Sequence, residues 1–296
     1  MSVPVLILVN QPVSHESEPR TDAPTPAFVQ ADARLPHLSV LDLGATRGDG
    51  VFETVMVAAG SAPAIDAHLD RFAESARLLD LPAPDRSVWQ AAFAAAVAAL
   101  PLVDVLAVKL VLTRGIEGED SPTGWIVARP GRDFTRERSE GVRVVTLDRG
   151  YRHDVAATSP WLLQGAKTLS YAVNTAALRE AARRGADDVV FTSSDGFVLE
   201  APTASVLLRE GDRFSTPSAD LGILPGTTQR RAFAFLNELG FETDSVRLRT
   251  SELHRADSLW LVSSIRRAVP VVSLDGEPKR IDHDLTARLN AYLAAH

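Results

Sequence analysis

The stretch Gln164-Gly-Ala-Lys-Thr-Leu-Ser-Tyr171 sets one lysine, Lys167, at the start of a run with helical spacing that Gly185 stops. Outward from it, Asp187-Asp-Val-Val-Phe-Thr-Ser-Ser-Asp-Gly-Phe-Val-Leu-Glu200 reads as strand, turn and strand. Its Asp195-Gly196 pair is a hairpin signal, and Glu200 closes it. Gly222-Ile-Leu-Pro-Gly-Thr-Thr-Gln229 then reads as a glycine-punctuated turn opening a helix. Each feature alone is ordinary. Lysines at helix starts and carboxylates at strand ends are usually solvated, and Thr227 and Thr228 can be simple caps. In this order they point to one chemistry. An amine can form an imine with an aldehyde, and a carboxylate can keep a pyridine nitrogen protonated. Backbone N–H groups at a helix start can hold a phosphate. A cation at a helix N-terminus also opposes the macrodipole, so the spacing predicts a Lys167 amine biased toward its neutral, nucleophilic form.

The bulk properties allow this. The chain has 296 residues, enough for two domains. Its 45% hydrophobic and 23% charged residues are an ordinary globular balance. A net charge of -7 argues against broad nucleic-acid binding but not against a local cationic pocket. There are no cysteines, which excludes disulfides, thiolate catalysis and cysteine-held metals. The seven histidines show no ligand spacing, so no metal is expected. The opening residues lack a basic leader and no apolar run is long enough to span a bilayer. The expectation is a cytoplasmic protein with no membrane partner.

The apolar pattern predicts strands at residues 5 to 9, 50 to 57, 105 to 113, 125 to 128, 142 to 147, 205 to 208, 258 to 263 and 269 to 274. Helical spacing covers residues 67 to 79, 89 to 100, 167 to 184, 227 to 239 and 285 to 294. Residues 10 to 36 are polar and proline-rich and read as a loop. The charged stretch at 129 to 140 reads as a linker. Mixed elements on both sides predict two α+β or α/β domains, residues 1–138 and 139–296, the second carrying Lys167 and the cofactor site.

Further motifs complete a resemblance. Arg47-Gly-Asp-Gly-Val-Phe-Glu-Thr54, Ala67-His-Leu-Asp-Arg-Phe72, Ala166-Lys-Thr-Leu-Ser-Tyr171, Leu199-Glu-Ala-Pro-Thr-Ala-Ser205, Ile223-Leu-Pro-Gly-Thr-Thr-Gln229 and Leu261-Val-Ser-Ser-Ile265 occur in that order. Together they resemble the fold-type IV pyridoxal-phosphate enzymes, a family of branched-chain aminotransferases, D-amino-acid aminotransferases and aminodeoxychorismate lyases. The likeness runs over nearly the whole chain from Val40. It implies the family's two-domain fold, pyridoxal 5'-phosphate as cofactor and a homodimer. It implies that Lys167 forms the Schiff base and that Glu200 binds the pyridine nitrogen. Arg71, Thr227, Thr228, Ser264 and Ile265 then fall on the phosphate side.

Val108-Lys-Leu-Val-Leu-Thr-Arg-Gly115 resembles the lysine-bearing strand of the lyases. Lys109, Arg114 and Tyr171 are accordingly the expected substrate residues, binding a small anionic amino substrate. The resemblance thus implies a 4-amino-4-deoxychorismate lyase that yields 4-aminobenzoate and pyruvate for folate synthesis. A D-amino-acid or branched-chain aminotransferase is the alternative, and a noncatalytic pyridoxal-phosphate binder a remoter one. One departure stands out: Glu119 occupies the place where lyases often carry a second arginine.

Overall fold

The computed structural model describes residues 4–10, 26–101 and 103–295, and they form two compact units. The first comprises residues 1–132 with 166–170, the second residues 133–165 with 171–296.

The first unit contains β1 (Val5–Val9), β2 (Phe28–Ala31), the short α1 (Leu43–Thr46), β3 (Gly50–Ala58), α2 (Ile65–Leu78), α3 (Arg86–Ala98), β4 (Val105–Thr113) and β5 (Thr123–Pro130). Its sheet runs β2-β1-β5-β4-β3, antiparallel throughout. Strand alternation turns Val51, Glu53, Val55 and Val57 of β3 and Val108, Leu110 and Leu112 of β4 into one buried face. Helices α2 and α3 cover that face with Leu69, Phe72, Trp89 and Phe93. Phe72 meets Trp89 edge to face at 4.9 Å, an arrangement that adds to their area burial. Asp85 caps α3 through bonds from Ser87 N and Val88 N.

The second unit contains α4 (Thr135–Glu140), β6 (Val142–Asp148), α5 (Val155–Thr158), α6 (Ala172–Arg183), β7 (Asp188–Thr192), β8 (Ser205–Glu210), β9 (Arg213–Pro217), α7 (Thr227–Glu238), β10 (Glu242–Val246), α8 (Thr250–Arg255), β11 (Ser258–Ser263), β12 (Arg267–Leu274), β13 (Glu277–Pro278) and α9 (His283–Ala295). The sheet order is β10-β9-β8-β11-β12-β6-β7, with β13 on β12. β6 lies parallel to both β7 and β12, while β8, β9, β11 and β12 pair antiparallel to one another. Leu207, Phe214 and Trp260 pack against Phe235 and Leu236 of α7 and Leu285, Leu289 and Leu293 of α9.

Several expectations change. Residues 166–170 are extended and lie along β3: Phe52 N donates to Lys167 O at 3.0 Å and Leu169 N to Gly50 O at 2.8 Å. This pairing joins Lys167 to the first unit. Helix α6 starts only at Ala172, so the helix-dipole argument for the Lys167 amine does not hold. The expected loop at 10 to 36 contains β2, which pairs with β1, while residues 11–25 lie outside the described residues. The expected linker at 129 to 140 holds the end of β5 and helix α4.

Candidate active site

In the first unit the chemistry gathers on β3, α2 and the Lys167 segment. Glu53 points into the buried face and is fully enclosed. A carboxylate there requires partners. Arg71 supplies a bidentate pair, Nε to Oε1 at 2.6 Å and Nη2 to Oε2 at 2.9 Å. His68 Nδ1 meets Oε2 at 2.7 Å. Burial pushes the Glu53 carboxyl up, but the Arg71 charge and the bonds from His68 and Arg71 outweigh it and bring it to about 2. Burial holds His68 below its usual value, against the pull of Glu53. A neutral imidazole beside an ionised carboxylate carries its proton on Nδ1 and donates it to Glu53. His68, Arg71 and Ser75 recur at helical spacing along α2 and so share one face. Buried Ser75 accepts from Lys167 N at 3.1 Å through its Oγ. The same helix therefore orients Arg71 and anchors the Lys167 backbone.

Phe52, next to Glu53, faces the opposite side of the sheet. Its ring carries the Lys167 Nζ at 4.6 Å and the Lys109 Nζ also at 4.6 Å from its centroid. Lys167 and Lys109 are thus brought together across one aromatic ring. Arg114 follows the end of β4. It pairs with Asp49 at 2.6 Å and donates to Leu79 O at 2.6 Å and Asp80 O at 3.2 Å. These bonds hold it at the C-terminal end of α2. Glu119 sits in an exposed turn, its N–H bonded to Ile116 O.

In the second unit the hairpin after β7 brings Glu200 to the turn at 222 to 226. Leu224 N donates to Glu200 Oε2 at 3.3 Å. Gly222 holds the turn with φ 74, a region that disfavours side chains. Gly226 is the N-cap of α7, and no side chain caps that helix start. A Cβ on Gly226 would crowd Ser205 Oγ, which would have to turn away, and would lie 3.0 Å from Gln229 Cβ. Thr227 and Thr228 follow, both buried in the first turn of α7. The N–H groups of a helix start, two buried hydroxyls and the positive end of a three-turn helix match the donor set that a phosphate dianion needs. Ser264 and Ile265 lie in the turn joining β11 to β12. Arg266 Nη1 ties that turn to β7 through Asp188 Oδ2 at 2.6 Å. Tyr171, just before α6, donates its hydroxyl to Pro202 O at 2.6 Å, and Asn174 donates to the same carbonyl at 2.8 Å. Burial, with the Glu200 charge nearby, pushes the Tyr171 hydroxyl pKa up, so it remains a donor.

Sequence reasoning missed Glu53, His68 and Ser75. A signal was present: Glu53 shares strand parity with Val51, Val55 and Val57, and an inward acid has to be matched.

Comparisons with known proteins identify the family. The family model for amino-transferase class IV matches residues 50–274. The chain therefore belongs to the class IV aminotransferase family and is an enzyme. A curated relative from Mycobacterium tuberculosis, a bifunctional aminodeoxychorismate lyase and D-amino acid transaminase, is 43% identical over 252 residues, covering 82% of this chain and 87% of its own. A solved fold IV-transaminase from Curtobacterium pusillum superposes with a TM-score of 0.94 at 51% identity, covering 99% of both chains. The PLP-bound form of a hypothetical aminotransferase from Mycobacterium tuberculosis gives 0.85 at 40% identity, over 90% of this chain and 96% of that one.

Proposed function

We propose that this pyridoxal-phosphate enzyme is a 4-amino-4-deoxychorismate lyase that also transaminates D-amino acids. The observation that carries the reading is the pairing of Lys167 and Lys109 over Phe52, which puts a second cation beside the nucleophilic amine. A relative with both activities, 43% identical, supports it.

The bound cofactor supplies an aldehyde for the amine and a protonated pyridine ring that withdraws electrons. The residues present fit it. Lys167 is the amine, and Glu200, oriented by Leu224 N, holds the pyridine nitrogen. Thr227 and Thr228 with the α7 N–H groups hold the phosphate, and Arg71 and the Ser264-Ile265 turn add to them. Glu53 and His68 keep the Arg71 guanidinium fixed before any anion arrives.

Lys167, as general base, removes the proton from the ring carbon bearing the substrate amine. The bond from the ring to the enol-ether oxygen breaks, and the three-carbon fragment leaves as the enolate of pyruvate. Lys167 returns the proton to its methylene carbon. The ring becomes aromatic 4-aminobenzoate, which makes the step strongly downhill. Lys109 pairs with a substrate carboxylate, and Tyr171 is retained in this reading as a substrate-side hydroxyl. In transamination Lys167 would move the α-proton of a D-amino acid, which would leave as its keto acid after hydrolysis, and its amino group would pass by way of the bound cofactor to an acceptor keto acid.

This reading includes a cytoplasmic homodimer acting in folate synthesis. Among the described residues no helix is long and apolar enough to cross a membrane. Purified protein given 4-amino-4-deoxychorismate is expected to release fluorescent 4-aminobenzoate. No release alongside turnover of D-alanine with 2-oxoglutarate would reduce the enzyme to a transaminase.

A further inference from the structure

The outward face of the first unit's sheet carries a second cation that the mechanism above does not use. Lys109 on β4 stands opposite Val127 on β5, and Ala107 opposite Arg129. Lys109 and Arg129 are therefore diagonal cross-strand neighbours on one face, about 7–8 Å apart. Both side chains are exposed. The face around them is apolar or aromatic, with half-buried Phe52, Trp125 and Val127. Among the described residues neither cation forms an ion pair with a carboxylate; Lys109 leans onto Phe52 instead. Although the Lys109 side chain is exposed as a whole, its amine is folded onto Phe52 and partly desolvated there, which lowers its pKa, and the like charge of Arg129 lowers it further. Two cations on neighbouring strands of one face form a ready site for a shared anion.

We propose that Lys109 and Arg129 together clamp the distal carboxylate of a dicarboxylic substrate, so that Arg129 is a specificity-determining residue. The span fits. Lys109 and Lys167 each lie 4.6 Å from the Phe52 centroid, so the two amines are separated by no more than twice that distance. A short diacid reacting at Lys167 can place its second carboxylate at Lys109. The arginine fork then adds directional donors that a lysine alone cannot provide. A monocarboxylic substrate has nothing for this pair to hold.

The inference rests on the active-site reading for Lys167 but not on which reaction follows. It is tested with unreactive probes, by titration calorimetry of the holoenzyme with glutarate and with butyrate. The native enzyme is expected to bind glutarate at least about tenfold more tightly than butyrate. Arg129→Gln is expected to remove most of that ratio by weakening glutarate alone, and Arg129→Lys to keep part of it. An unchanged ratio in Arg129→Gln, or equal binding of the two acids by the native enzyme, overturns the proposal. Loss of the ratio in an enzyme that turns over neither lyase nor transaminase substrates sustains the clamp and defeats the functional reading instead.

Discussion

The backbone N–H of Lys167 donates to the side-chain oxygen of Ser75 at 3.1 Å. The residue that carries the amine is thus fastened to the helix that carries Arg71 and His68. Removing the hydroxyl takes this acceptor from a part-buried N–H. Ser75→Ala is expected to cost about 1–3 kcal/mol in urea unfolding and to slow turnover through misplacement of Lys167. Full activity together with unchanged stability would show that the contact positions nothing.

The Glu53–Arg71 pair predicts a large stability effect. Glu53→Gln removes the charge but keeps the shape, and leaves the Arg71 guanidinium, only 10% exposed, without its counter-ion. Breaking such a pair costs about 3–5 kcal/mol. Urea unfolding of the apoenzyme reads this directly. A loss below about 1 kcal/mol would place the pair with weak surface bridges.

His68 predicts a pH dependence distinct from that of Glu53. Its folded pKa lies below the usual 6.5, so the unfolded chain binds its proton first. Stability is therefore full above 6.5 and declines as pH falls below it. The Glu53 contribution is present above 4.5 and disappears only toward about 2. Thermal melting between about pH 5 and 8 isolates the histidine. The native protein is expected to lose Tm on acidification over that range, and His68→Gln to lose less. Equal slopes would assign the effect elsewhere.

The threonines at the start of α7 predict a phosphate-specific loss. Thr227→Val and Thr228→Val keep volume and remove the hydroxyls. Each hydrogen bond to a charged group contributes about 1.5–3 kcal/mol, so affinity for pyridoxal phosphate is expected to fall at least about tenfold per site. Affinity for pyridoxal, which lacks the phosphate, is expected to hold. Equal losses for both ligands would remove the threonines from the phosphate site.

Much of the fold was legible where apolar alternation is strong. The strands Val5–Val9, Val105–Thr113 and Ser258–Ser263 lie where the pattern put them. The weakly patterned strands did not declare themselves. β10 reads Glu-Thr-Asp-Ser-Val and buries little, because it lies at a sheet edge and is held by parallel pairing to β9. The Lys167 segment misled for a related reason. Residues 166–170 are extended because β3 offers them partners, and local spacing carries no record of a distant strand. Order along the chain exposed the candidate residues through their motifs. It did not reveal the buried Glu53–His68–Arg71 cluster, whose members are ordinary in sequence and joined only by the packing of α2 on β3. Arg114 shows the converse: its motif drew attention to it, but its bonds to Asp49 and Leu79 are legible only in the fold.

Borohydride reduction of the holoenzyme, followed by proteolysis and mass mapping, locates the covalent attachment of the cofactor. A single modified peptide spanning residues 164 to 171, with the added mass on Lys167, is the expected result. Modification at another lysine, or none in a protein that retains turnover, would contradict the assignment from which every other role follows.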